Sequence, residues 1–143
     1  MCTAINKISL NRAQLQTMLN EMERTHPIEA CGLLLGKIRG DTIEVTDVLC
    51  SQNVVNSPVR FEVDPEAVYQ AYVRAENEGK ELIGVFHSHP APPKPSEIDL
   101  RYMEANPSFV WLILSTLDRK LAAYHWQKGK PCKIEIQIIK EGS

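Results

Sequence analysis

The chain has 143 residues, 43% of them hydrophobic and 24% charged, a globular composition that excludes a disordered or fibrous polypeptide. Its formal net charge of −2 lacks the basic excess of a nucleic-acid binder, so no nucleic acid is expected as a partner. The longest apolar run, Phe109–Leu114, is too short to span a bilayer, and the N-terminus has no signal-peptide core. The expectation is one soluble cytoplasmic domain over residues 1–143, with no membrane contact.

Asn11 caps a helix predicted over residues 12–25, whose Leu15, Met18, Leu19 and Met22 form one apolar stripe before Pro27. Two strands follow, Ala30–Ile38 and Thr42–Leu49, turned at Gly40-Asp41. The first is apolar in succession, which suits a strand covered on both faces. Residues 51–58 read as a loop and Val59–Val63 as a short strand. Asp64-Pro65 starts a second helix, cap then proline at the first position, which places Val68, Ala71, Tyr72 and Ala75 together and stops at Gly79. Leu82–His87 is a strand, and a proline-rich loop leads to a helix over Glu97–Ala105. Phe109–Ser115, Leu121–Gln127 and Cys132–Ile139 complete the strands. The predicted order, α-β-β-β-α-β-α-β-β-β, is a single mixed-sheet α/β domain flanked by helices, and its hairpins exclude a purely parallel doubly wound sheet.

Cys2, Cys31, Cys50 and Cys132 form no C-x-x-C pair, so neither a zinc knuckle nor a thiol redox site is suggested. Cys31 and Cys50 lie in strand-like apolar surroundings and are expected to be buried, inert thiols. The basic stretch Arg119–Lys140 and the acidic stretch Glu62–Glu81 read as solvated faces.

Chemistry concentrates in Val85-Phe86-His87-Ser88-His89-Pro90, followed by Ser96-Glu97-Ile98-Asp99. In an extended chain His87 and His89 face the same side, about 6.5–7 Å apart at Cα, which lets both imidazoles reach one ion. Asp99, in the first turn of the next helix, offers a third donor and leaves a fourth position for water, the pattern of a catalytic zinc site. At this point a purely structural pair of histidines stays open, and Ser96-x-x-Asp99 equally matches a helix capping box. Glu29, a charge at the head of an apolar strand, is the leading candidate for a general base. Ser88 is a poor nucleophile candidate, and His26 and His125 read as ordinary surface or structural residues.

Taken together, Glu29, His87-Ser88-His89-Pro90 and Ser96-x-x-Asp99 resemble the signature of the JAMM (MPN-plus) zinc metalloproteases. The blocks Glu29–Gly36, Arg60-Phe61-Glu62-Val63-Asp64-Pro65 and Gly84-Val85-Phe86 resemble the stand-alone prokaryotic branch in particular. The resemblance implies an MPN, cytidine-deaminase-like architecture. It further implies that His87, His89 and Asp99 hold Zn2+ with a water as nucleophile. Glu29 is then the general base that passes a proton to the leaving amine, and Ser96 helps stabilise the oxyanion. One departure stands out: the loop Pro90–Pro95 has six residues where family members commonly have seven.

The implied function is a zinc-dependent isopeptidase or peptidase that cleaves after the C-terminal glycine of ubiquitin or a ubiquitin-like protein, working as a monomer or homo-oligomer. Its partner is the ubiquitin-like protein or its conjugates, whose extended tail is expected to add to a sheet edge beside the metal. Three alternatives remain: processing of a ubiquitin-like sulfur carrier, a non-catalytic MPN scaffold, and a hydrolase of small-molecule amides.

Overall fold

In the computed structural model, which describes residues 4–140, each helix begins where the sequence supplies a cap. The elements are β1 (Lys7–Asn11), α1 (Arg12–Thr25), β2 (Cys31–Arg39), β3 (Thr42–Ser51), α2 (Pro65–Glu78), β4 (Glu81–His89), α3 (Glu97–Ala105), β5 (Val110–Ser115), β6 (Leu121–Gln127) and β7 (Lys130–Ile139). Asn11 and Gln14 form a reciprocal capping box on α1, each side chain taking the other's backbone N–H at 2.8 Å. Asp64 caps α2 ahead of Pro65, and Gly79 ends it with φ of 67°, a left-handed conformation open to glycine.

The seven strands form one closed sheet in the order β1-β3-β2-β4-β5-β6-β7, with β1 joining its two ends by parallel pairing to β3 and β7. Pairing is otherwise antiparallel except between β4 and β5, which α3 connects as a crossover. One apolar layer gathers Met18 and Met22 of α1 with Ile8, Leu10, Leu34, Phe86, Leu112 and Leu114. The other sets Ala71 and Ala75 of α2 and Met103 of α3 against Leu33, Leu35, Val85, Trp111 and Ile113. Alternate residues of β2 and β4 therefore feed opposite layers, and the expectation of a strand covered on both faces holds for Cys31–Gly36. No helix among the described residues is long and apolar enough to cross a membrane.

Two corrections change the predicted order to β-α-β-β-α-β-α-β-β-β. The strand Lys7–Asn11 was not expected: it is short, and its partners lie at Thr42–Glu44 and Glu135–Ile139, so only distant contacts define it. Conversely, Val59–Val63 is not a strand. Its one ladder contact is an isolated bridge from Val63 to Asn53, because neighbouring backbone groups bond to the Asn53 side chain instead. A third difference bears on chemistry: β4 continues to His89, two residues past its predicted end, so both histidines sit on strand.

The cysteine expectation holds in part. Cys31 is buried, and burial pushes its thiol up to about 12. Cys50 is instead exposed, lying on the part of β3 that extends beyond its pairing with β1. Cys2 lies outside the described residues.

Candidate metal centre

The site forms where β4, the residue before β2 and the start of α3 converge. β4 is paired on both flanks at His87, with Cys31 of β2 and Ile113 of β5, and on one flank at His89, with Ser115. This pairing holds their backbone rigidly, and the two-residue period turns both rings toward the α2/α3 side. Between them Ser88 turns away, and its hydroxyl oxygen accepts the Ala30 N–H at 2.9 Å while Ser88 N–H donates to Ala30 O at 3.0 Å. Ser88 is thus a structural tie, and what it ties is the residue next to Glu29.

Glu29 reaches the histidines across 58 positions of sequence: its Oε1 lies 2.9 Å from His87 Nδ1. Its own backbone is pinned on both sides, N–H to Ser57 O at 2.9 Å and C=O to Asn53 Nδ2 at 3.2 Å. From the opposite side Asp99 brings Oδ2 to 3.1 Å from His87 Nε2. The α3 capping box that the spacing suggested is present: Ser96 N–H donates to Asp99 Oδ2 at 2.9 Å and Asp99 N–H to Ser96 Oγ at 3.1 Å. The cap and the ligand readings are therefore compatible, since the box orients the Asp99 carboxylate toward β4. Phe61 stacks on the His87 ring at 4.5 Å between centroids, and Trp111 meets its edge at 6.1 Å.

The electrostatics follow from this enclosure. Burial opposes charge on His87, but Asp99 and then Glu29 outweigh it, so its pKa is raised to about 9. Burial lowers the pKa of His89, and the neighbouring charge of His87 lowers it further. Glu29 is raised because burial wins over its hydrogen bond to His87. Asp99 is lowered: burial pushes it up, but the close, charged His87 ring and the Ser96 groups prevail.

A cation fits this donor set. Among the described residues, Nε2 of His87 and Nε2 of His89 are buried with no hydrogen-bond partner. His87 Nε2 is close to Asp99 Oδ2, yet the pair is not aligned as a hydrogen bond. Two unpartnered ring nitrogens beside a carboxylate, with Glu29 at the far nitrogen of one ring, are the groups a carboxylate–histidine–metal arrangement would use. Adjacent donors on a tetrahedral zinc are about 3.3 Å apart for bonds of about 2.0–2.1 Å, close to the 3.1 Å between His87 and Asp99. His89 stands farther off, its ring centroid 5.4 Å from that of His87, and among the described residues no trio stands in finished coordination geometry.

A family model described as prokaryotic homologs of the JAB domain matches residues 11–128, a span that contains all five of these residues. The chain belongs to that family. A desampylase of Pyrococcus furiosus is 39% identical over 112 residues, covering 78% of this chain and 76% of its own length. A desampylase of Haloferax volcanii is 36% identical over 114 residues, covering 78% and 79%. The solution structure of a protein from Desulfitobacterium hafniense superposes with a TM-score of 0.83 at 33% identity and covers 94% of both chains.

Within this JAB-domain protein the structure also shows what the sequence reading missed. Phe61 lay in a noticed block, but nothing in its spacing marked it as the wall of His87. Asn53 gave no signal at all, although its one side chain serves Glu29 O, Ser57 O and Arg60 O as donor and the N–H groups of Val55 and Glu62 as acceptor. His125 pairs with Gln127 at 3.0 Å on β6, as an ordinary structural residue. His26 is exposed but lines a small cavity beside Glu29 and His89. A second cavity, apolar and about 270 Å³, lies against Phe61, Val63, Val85 and Trp111. At His87 β4 has strand partners on both sides, so an incoming tail cannot pair with it there.

Proposed function

We propose that this protein is a zinc-dependent isopeptidase or peptidase that cleaves after the C-terminal glycine of a ubiquitin-like protein. The observation that carries this reading is the pair of buried, unpartnered ring nitrogens on His87 and His89 beside the Asp99 carboxylate. Its relatives in two archaea are named desampylases, which supports a ubiquitin-like modifier as the substrate. His87, His89 and Asp99 would hold the ion. When bound there, zinc supplies a Lewis acid that polarises a carbonyl and lowers the pKa of water from about 15.7 to about 7.

The chain's own groups divide the remaining work. Glu29 Oε1 is committed to His87 Nδ1, which orients that ring, and Oε2 is the oxygen for the moving proton. Burial raises the proton affinity of this carboxylate, which suits a group that takes a proton from water and returns it to a departing amine. Ser96 Oγ accepts the Asp99 N–H and keeps its own hydroxyl hydrogen for a developing oxyanion, a donor worth about 2.7–4 kcal/mol where it is well placed. The tail approaches over the apolar cavity at Phe61, Val85 and Trp111, which receives its apolar side chains and keeps water from the centre.

Metal analysis of the purified protein, with cleavage of ubiquitin-like fusions in the presence and absence of a chelator, tests the proposal. One equivalent of zinc and chelator-sensitive cleavage are expected. Metal-free protein with full activity overturns it, and metal-free protein without activity points to the scaffold alternative.

A further inference from the structure

Between His89 and Ser96 the chain crosses from β4 to α3 on a loop that is short of hydrogen-bond donors. Pro90, Pro92, Pro93 and Pro95 have no N–H, so only Ala91 and Lys94 in this stretch can donate from the backbone. Among the described residues the loop's backbone donates once, from Lys94 N–H to Pro92 O at 2.7 Å. The loop's carbonyls are acceptors, and the donors that would hold them must come from elsewhere.

Two side chains do so. The Tyr124 hydroxyl donates to Pro93 O at 3.0 Å. The His89 ring donates to the Pro92 carbonyl next to it. Nε2 of this ring has no partner among the described residues, which leaves Nδ1 as the nitrogen that faces the carbonyl. A carbonyl oxygen only accepts, so it holds the proton on Nδ1 and leaves Nε2 as a lone pair. That is the tautomer a histidine needs in order to bind an ion through Nε2.

Tyr124 stands on a firm base for this contact. At this residue β6 is paired on both flanks, with Trp111 of β5 and Lys133 of β7. The side chain is 9% exposed and packs in the layer that holds Trp111, Ala122 and Met103. Burial pushes the phenol pKa up, so the hydroxyl keeps its proton and remains a donor. The phenol thus rises from a rigid sheet and ends on a loop that has little else to hold it.

We infer that Tyr124 is a positioning residue for the metal centre: by holding Pro93 it fixes the neighbouring Pro92 carbonyl, which orients the His89 ring and keeps its proton on Nδ1. The inference rests on the metal reading of the centre and adds to it a residue outside the five already assigned there.

The test is Tyr124→Phe, which removes one oxygen and keeps the ring in the core. It is read first in zinc-free protein at about pH 8, where His89 is neutral. The ¹⁵N chemical shifts of the His89 imidazole should show the Nδ1–H tautomer in the native protein and a mixture of the two tautomers in the variant. Zinc affinity, measured by competition with a chelator, should fall at least about tenfold, as for other groups that orient a metal ligand. The visible absorption bands of the cobalt-substituted protein should shift with it. Pro92→Gly keeps the carbonyl but frees its backbone, and should weaken zinc in the same direction. The double variant should lose less than the product of the two single losses, because both act through one carbonyl.

A lower urea midpoint with native tautomer, zinc affinity and cobalt spectrum means that the hydroxyl is purely structural, and overturns the inference. Single losses that multiply in the double variant overturn it as well. Either result leaves the metal reading intact, whereas native protein that binds no zinc overturns both.

Discussion

Two regions press on His87, and they are secured by opposite means. On one side β4 carries the imidazole between two backbone ladders, paired with Cys31 of β2 and Ile113 of β5. On the other, the segment that lays Phe61 on the ring has a single isolated bridge, Asn53 to Val63, and otherwise depends on the Asn53 amide. A ladder distributes its load: losing one bond leaves the flanking bonds to keep the register. A hub does not, because one side chain bonds three carbonyls and two N–H groups, and its loss releases several of them together. The two histidine donors of the proposed ion therefore sit on the robust part of the molecule, while Phe61 and the backbone of Glu29 depend on the fragile one.

The comparison can be broken most sharply at the centre itself. Asp99→Ala and His89→Ala should each lose stoichiometric zinc in metal analysis, with cleavage lost in parallel. Because His87 is raised to about 9 between two carboxylates, the ion-free protein holds that proton at pH 7, and zinc must displace it. Calorimetry in buffers of different ionisation enthalpy should show about one proton released per zinc bound. Glu29→Gln separates the roles: zinc content stays, and kcat falls by about 10²–10⁴-fold, the usual range for a lost general base. Unchanged turnover would remove Glu29 from the reaction.

The hub comes next. Asn53→Ala should cost about 2–3 kcal/mol in urea unfolding, since buried backbone groups lose their partners together. Zinc affinity should change little, because none of the three proposed ligands touches Asn53. If zinc is lost as well, the two regions are not independent. A smaller effect is expected for Phe61→Leu, which keeps apolar volume but removes the stack on His87, at about 1 kcal/mol. Smallest is Asp47→Asn, far from the site, where Lys80 and Arg74 meet that carboxylate at 2.7 and 2.8 Å. Burial pushes Asp47 up, but the hydrogen bonds of Lys80 and Thr46 and the charges of Lys80 and Arg74 hold it below the usual carboxylate value. A depressed folded pKa stabilises above the unfolded value of about 3.9 and stops doing so as pH falls through the lower folded value. The difference between native and Asp47→Asn should therefore be a few tenths of a kcal/mol at pH 7 and should disappear in acid, once Asp47 is protonated in the folded protein too.

Local chemistry was legible wherever a few consecutive residues suffice. The bounds of α3 and β6 and the caps at Asn11, Asp64 and Ser96 follow from cap, turn and periodicity alone. The common face of His87 and His89 and the capping role of Asp99 follow for the same reason. What failed was non-local. β1 is a strand because residues 42–44 and 135–139 flank it. Val59–Val63 has the apolar content of a strand but spends its backbone hydrogen bonds on an asparagine elsewhere. Cys50 looked buried by its neighbours and is exposed beside Glu21 and Arg24 of α1, at the mouth of an open cavity.

The amino-acid order by itself determined the family and the helix starts and singled out the five residues proposed for the centre, since residue type and short spacing are local properties of a chain. Tertiary structure alone decided that Glu29 meets His87 from 58 positions away, that Phe61 walls the ring, and that the sheet closes with β4 paired on both sides at His87. Such contacts are set by which surfaces bury one another across the closed sheet, and no period or motif in a linear sequence encodes that distance.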